Sequence, residues 1–195
     1  CEVSDFTRTL DMQKGLLERS FVATLPSGEQ IKVSACRFVS MERPEVGAIE
    51  YNIKALNFDG SLAIKPYVNG QVTNEDANYD EMFWEEVDQG LFEEGGFVTT
   101  KTKKLDFHVS AGMKSEIQKN GSRVFKDGKS SCEPMTISQQ YQLSVSEGDD
   151  LCIHKYAVVA SSLNHERKRL HSHVEEQLQE IKAVGFEDLK QEQID

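Results

Sequence analysis

The sequence is short of positive charge, of paired cysteines and of any long apolar run, and each shortage excludes a class of protein. Its 22 Lys and Arg stand against 33 Asp and Glu, a net charge of −11 at pH 7. Phosphate backbones are bound by clustered Lys and Arg, so a nucleic-acid partner is excluded. Anionic membrane surfaces are disfavoured for the same reason, and no stretch approaches the roughly 20 apolar residues of a transmembrane helix. Internal repeats and low-complexity segments are absent too. The four cysteines, Cys1, Cys36, Cys132 and Cys152, lack the paired spacing of a metal site. Cys36 and Cys152 lie in strand-like runs, which reads as buried free thiols in a reducing compartment. Cys1 reads as the start of a fragment cut from a longer protein. A lipidated first residue is the alternative, disfavoured because strand pattern follows almost at once without a polar tether.

With 195 residues the chain suits one domain plus an appendage. That length buries roughly 70% of its extended surface, enough for a core without staples. What fills it is β pattern. Ile31, Val33, Ala35, Arg37, Val39 and Met41 alternate with Lys32, Ser34, Cys36, Phe38 and Ser40, a period of two. The alternation recurs at Ile49, Tyr51, Ile53 and Ala55, at Leu105, Phe107, Val109 and Ala111, over 135–145, and across 151–160. Turn signals separate the runs, among them Pro26-Ser27-Gly28, Asp59-Gly60, Asn69-Gly70, Asn120-Gly121 and Gly148-Asp149-Asp150. Long strands joined by short polar turns predict antiparallel pairing in a large sandwich of two sheets.

After Ser161 the period changes. Leu170, Val174, Leu178 and Ile181 fall at helical spacing with charged and amide residues between them. Ser162 or Asn164 is the expected N-cap, Gly185 the left-handed terminator, and a second helical segment is expected from Phe186 to the end. The apolar stripe has to cover a surface, either the sandwich or a further domain.

One stretch breaks the β pattern. Residues 72–86 mix carboxylates, amides and aromatics and hold the only Trp, Trp84. Unpaired carboxylates and amides cost several kcal/mol away from water, so the segment is a surface loop shaped for contact, or a solvated loop with Phe83 and Trp84 tucked onto the sheet. Asp76, Asn78 and Asp80 imitate the opening of a calcium loop, but Glu81 stands where that loop needs Gly and Val87 where it needs Glu. Gly128-Lys129-Ser130 lacks the upstream Gly of a phosphate-binding loop. His171 and His173, two apart on a helix, point to nearly opposite sides and cannot chelate one ion together; both are expected on a solvated face. His108 and His154 are the strand histidines, expected to be satisfied within the sheet. No Ser or Cys nucleophile has a base beside it, and carboxylate spacing for glycoside hydrolysis is not legible from 33 acidic residues. The residues reveal no catalytic, cofactor or metal constellation.

Four segments together resemble a known family: Arg8-Thr9-Leu10-Asp11-Met12-Gln13-Lys14-Gly15, Arg37-Phe38-Val39-Ser40-Met41, residues 72–84, and the helix from His165 to Phe186. They resemble the amino-terminal domain of glycoside hydrolase family 65, the family of maltose, kojibiose, trehalose and nigerose phosphorylases. Residues 74–84 look most like the maltose enzymes. The resemblance covers nearly the whole chain and implies a galactose-mutarotase-like supersandwich over 1–161, truncated at its start. It implies a helical linker over 162–195, leading towards an α/α-barrel catalytic domain that this chain lacks. The implied reaction is inverting phosphorolysis of an α-glucoside by inorganic phosphate, giving β-glucose 1-phosphate and glucose. Phosphate is already anionic near neutral pH, so one general acid suffices. No other cofactor is implied, and a cytoplasmic homodimer is. No residue here inherits a catalytic role. Asn74, Asp76, Asn78, Tyr79, Asp80, Phe83 and Trp84 are the candidate rim, reaching the barrel's mouth or a neighbouring subunit. Two alternatives stay open: a free-standing carbohydrate-binding sandwich, and a mutarotase-like enzyme, which needs a His–Glu pair inside the concave sheet.

Overall fold

A computed structural model describes residues 1–73, 81–124 and 128–195. Strands β1 (Glu2–Asp11), β2 (Leu16–Thr24), β3 (Gln30–Val39) and β4 (Val46–Ala55) come first, followed by β5 (Gly60–Ile64) and β6 (Tyr67–Asn69). Then come β7 (Trp84–Phe92), β8 (Gly95–Thr102), β9 (His108–Lys119) and β10 (Ser122–Arg123). The last strands are β11 (Lys129–Glu133), β12 (Thr136–Val145) and β13 (Asp150–Ser161). A 3-10 turn at Arg167–Arg169 leads into α1 (Leu170–Val184) and α2 (Phe186–Ile194).

The strands form two antiparallel sheets. The large one runs β1-β2-β3-β4-β13-β9-β8-β7, with β10 on β9; the small one is β11-β12-β5, with β6 also on β12. Pro66, whose carbonyl accepts from Gln139 N–H at 3.0 Å, sits where β5 gives way to β6. Asn120 and Gly121 both adopt positive φ, 50° and 76°, and make the tight turn from β9 to β10 that Asn-Gly favours.

Each face of the large sheet is covered by something different, and the pairing register shows how. On β13 the odd residues Leu151 and Ile153 face the small sheet and pack with Tyr141, Leu143 and Val145. The even residues Tyr156, Val158 and Ala160 face the helices and pack with Leu170, Val174, Leu178, Ile181, Phe186 and Leu189. The four stripe residues of α1 are all fully buried, each worth about 1.5–3 kcal/mol. The surface that the stripe covers is therefore the sheet itself. Gly112 of β9 allows the close approach, since a Cβ there meets Val174 Cγ1 at 2.4 Å. Polar ties add to this contact. Arg43 reaches Glu180 at 2.7 Å and Glu192 at 3.1 Å, and Met41 N–H donates to Gln193 at 2.8 Å.

Three expectations need correction. The strand expected from Leu105 begins at His108, because Asp106 turns with φ 50° and the Thr102–Phe107 hydrogen bonds close residues 103–106 into a loop. Neither Ser162 nor Asn164 caps the helix: the Ser162 hydroxyl accepts from His108 N–H at 3.0 Å, and helical structure starts only at Arg167. Finally, β3 does not keep one buried face. Val33 is buried towards the small sheet, Cys36 and Phe38 towards the helices, and Val39 is 68% exposed where the small sheet no longer reaches. Among the described residues, no helix is long and apolar enough to cross a membrane.

Candidate functional site

Of the expected rim, Asn74, Asp76, Asn78, Tyr79 and Asp80 lie outside the described residues. Phe83 and Trp84 lie at the start of edge strand β7. The carbonyl of Phe83 accepts from Lys103 N–H at 2.9 Å. The Trp84 ring is tilted against Phe107 with centroids 6.4 Å apart, and it packs with Met82 on the cluster of Val98, Met113, Met135 and Ile137. These two residues anchor the end of the segment to the sheet.

A dense polar group lies on the helix-covered face. Glu50 on β4, His154 on β13 and Glu116 on β9 are direct cross-strand partners, so the ladder brings their side chains together. His154 Nδ1 is 3.2 Å from Glu116, its Nε2 is 3.2 Å from Glu50, and Cys152 Sγ is 3.3 Å from the same nitrogen. Phe186 of α2 lies parallel over the imidazole with centroids 5.0 Å apart. Burial works against the imidazolium, yet the contacts with Cys152, Glu116 and Glu50 outweigh it and push the His154 pKa up to about 11. The hydrogen bonds to His154 likewise hold both carboxyls below their usual range, against burial. Burial and the adjoining Glu116 together raise the pKa of Tyr156, whose hydroxyl is 3.4 Å from that carboxylate. His154 is, as expected, a satisfied sheet histidine. The glutamates that satisfy it, 104 and 38 residues away, leave no local signal. His108 is also satisfied, 2.9 Å from Asp106.

A second histidine group corrects the solvated-face reading of the helix. His171 is exposed and stacks on Phe97 at 5.5 Å. His173 instead turns inward and shares the Glu45 carboxylate with His165, at 2.9 and 2.8 Å. The two histidines on α1 do point apart, as their spacing requires. The residue that holds one of them comes from the connection before β4, which no helical period can reveal.

Between the sheets, Phe92, Glu94, Arg123, Gln139 and Tyr141 help line a cleft of about 570 Å³. Its polar groups largely satisfy one another. With the amide oriented to match its surroundings, the Gln139 nitrogen lies 3.0 Å from Ser115 Oγ, 3.1 Å from Tyr141 OH and 3.0 Å from the Glu94 carbonyl, two of which its two hydrogens can serve at once, and its oxygen accepts from Gly95 N–H at 2.9 Å. Glu94 also pairs with Arg123 at 2.7 Å and with Lys182.

A family model described as glycosyl hydrolase family 65, N-terminal domain, matches residues 1–195. The chain is 28% identical over 195 residues to a maltose phosphorylase of Bacillus subtilis (strain 168), covering 97% of this chain and 24% of that protein. It is 24% identical over 196 residues to an alpha,alpha-trehalose phosphorylase of Thermoanaerobacter brockii, covering 96% and 25%. A solved structure named as a kojibiose phosphorylase from the human microbiome superposes with a TM-score of 0.85 at 17% identity, over 99% of this chain and 24% of that one. The chain thus spans about a quarter of the length of these relatives.

Proposed function

The chain belongs to glycosyl hydrolase family 65, as its N-terminal domain, and from that premise we propose that it is the non-catalytic β-domain of a disaccharide phosphorylase of the maltose type. The whole protein converts an α-glucoside and inorganic phosphate to β-glucose 1-phosphate and glucose with inversion, on an α/α-barrel domain outside this chain. Phosphate is co-substrate, and no metal or organic cofactor takes part in the reaction. The maltose assignment is supported by the similarity to the Bacillus subtilis protein along nearly the full chain. A homodimer and a cytoplasmic setting belong to the same reading.

One observation carries the scaffold role. The strand His–Glu group that a mutarotase-like catalyst needs is present at His154, but Phe186 closes over it and two glutamates hold the imidazole between them. A general base acts best with a pKa near the working pH and with access to its proton; His154 has neither. Exposed Met12, Val39 and Met41, at 84%, 68% and 81%, fit a domain that meets further protein. The segment 74–84, anchored by Phe83 and Trp84, is the proposed contact with the barrel's mouth or a second subunit.

The test is phosphate-dependent release of glucose 1-phosphate from maltose, trehalose and kojibiose. The whole protein that carries this chain is expected to prefer maltose, and the chain alone to turn over none of the three. Turnover by the chain alone overturns the scaffold role. The cleft at Tyr141 favours a second reading, a sugar-binding sandwich, which maltose binding to the isolated chain would support.

A further inference from the structure

We infer that Glu45, His165 and His173 form a binding site for one transition-metal ion of the zinc type, set at the joint between the sheet and the helical segment. Glu45 precedes β4, His165 lies between β13 and the 3-10 turn, and His173 is in the first turn of α1. His165 Nε2 is 2.8 Å from one oxygen of Glu45 and His173 Nε2 is 2.9 Å from the other. The two rings stack with centroids 3.9 Å apart. Both imidazoles therefore present the same nitrogen towards one carboxylate, and the three donor atoms lie within 4.8 Å of one another. Four-coordinate zinc with N and O ligands at about 2.0–2.2 Å keeps its donors roughly 3.3–3.6 Å apart. The carboxylate, now 2.8 and 2.9 Å from the two nitrogens, has to draw back to admit an ion between the three donors.

The donor chemistry selects the ion class. Two imidazole nitrogens and one carboxylate oxygen suit zinc and its neighbours, whereas calcium and magnesium take oxygen ligands. The three side chains are 24–25% exposed, which leaves the fourth position to water.

The other group of similar composition, Glu50, Cys152 and His154, differs in the decisive respect. Both nitrogens of His154 are engaged by glutamates and Phe186 covers the ring, so a proton already holds that place. At Glu45 the ligands are separated by 120 and 128 residues of chain. Only the folded protein assembles them, so binding an ion straps the start of α1 to the start of β4 and stabilises the fold by mass action.

The test uses the chain free of any polyhistidine tag, stripped of metal and titrated calorimetrically with Zn²⁺ alone. One ion per chain is expected, with a melting temperature that climbs as Zn²⁺ is added. His165→Ala and His173→Ala each weaken binding at least tenfold, and exposed His171→Ala leaves it unchanged. Circular dichroism in EDTA shows that the variants are folded before they are compared. Co²⁺ substituted into the unaltered chain gives the visible bands of N and O ligands only. The inference is overturned if Zn²⁺ does not bind stoichiometrically, if binding survives the paired His165→Ala and His173→Ala change, or if a thiolate-to-cobalt band moves the ion to Cys152. The unaltered chain decides by itself, so a variant that fails to fold does not leave the question open.

Discussion

Replacing Gly112 by Ala puts a methyl group where α1 already sits. The added Cβ lies 2.4 Å from Val174 Cγ1, 3.1 Å from Leu178 Cδ1 and 3.2 Å from the Gly96 carbonyl oxygen. Carbon atoms pack best at about 3.5–4.0 Å, so the helix has to lift by more than about 1 Å at its second turn. A lift of that size loosens the whole stripe of Leu170, Val174, Leu178 and Ile181 against the sheet. Overpacking of this kind costs about 1–3 kcal/mol. In a chain of this length each kcal/mol lowers the melting temperature by about 2–4 °C.

The partner change isolates the cause. Val174→Ala alone removes two methyl groups from full burial and leaves a small cavity, a loss of about 2 kcal/mol. Together with Gly112→Ala the new methyl occupies part of that hole. The double variant is therefore expected to be more stable than the sum of the single changes, by about 1–2 kcal/mol. Urea denaturation followed by circular dichroism measures all four proteins of the cycle, provided their m-values agree. Additivity within about 0.5 kcal/mol, or a Gly112→Ala chain as stable as its parent, refutes the seating of α1 on β9.

His154→Ala leaves Glu50 and Glu116 facing each other without their shared cation, and breaking a buried pair costs about 3–5 kcal/mol. The folded-state pKa of His154 is raised from 6.5 to about 11. The stability it contributes is therefore full below pH 6.5 and is lost as the pH climbs towards 11, where the folded state keeps a proton that the unfolded chain releases. Denaturation at pH 7 and pH 10 should show a fall in the parent that the variant lacks, and equal slopes count against the argument. Gly185→Ala is expected to cost about 1–3 kcal/mol, because Gly185 has φ 91° and ψ 163° and nothing lies within 4 Å of the added methyl. A loss without any crowding identifies backbone strain, and hydrogen exchange in α2 should report it; an unchanged midpoint refutes it. Trp84→Ala strips a half-buried ring from the edge of the Val98 cluster, for a loss of about 1–3 kcal/mol, less than for a fully buried Trp. In the whole protein the rim proposal further expects a changed KM or subunit association. Unaltered kinetics and assembly remove that proposal.

Strand period, Asn-Gly and Pro-Ser-Gly turns and the four-residue stripe on α1 are local facts, and they carried the β-body and the amphipathic helix, but not which surface its stripe covers. Residues that answer to two surfaces were less legible. In β3 the burial changes face halfway along, since the small sheet covers one part and α1 with α2 the other, so Val39 and Met41 continue an apolar alternation yet stand in solvent. Ser162 reads as a cap until His108 N–H takes its oxygen. The polar clusters were hidden for a related reason. His154 meets Glu50 and Glu116 through ladder register, and His173 meets Glu45 through helix docking, and both are long-range consequences of the fold rather than of spacing.

These clusters also bear on where chemistry takes place. A catalytic carboxyl or imidazole is useful when its proton is held loosely near the working pH and a substrate can reach it. His154 is protonated far above neutrality and lies under Phe186, while Glu45 is drawn below its usual range because the hydrogen bonds from His173 and His165 outweigh its burial. Each group joins the sheet to the helical segment, at α2 in one case and at the start of α1 in the other. The polar residues on this face add to the apolar stripe: lifting α1 breaks the His173–Glu45 and Arg43–Glu180 contacts along with packing, and lifting α2 breaks the Phe186 stack and the Arg43–Glu192 pair. A segment held this way would set a fixed direction for any domain joined to it. That is the property which a β-domain positioning a separate reaction centre requires, and one which a free sugar-binding sandwich does not need.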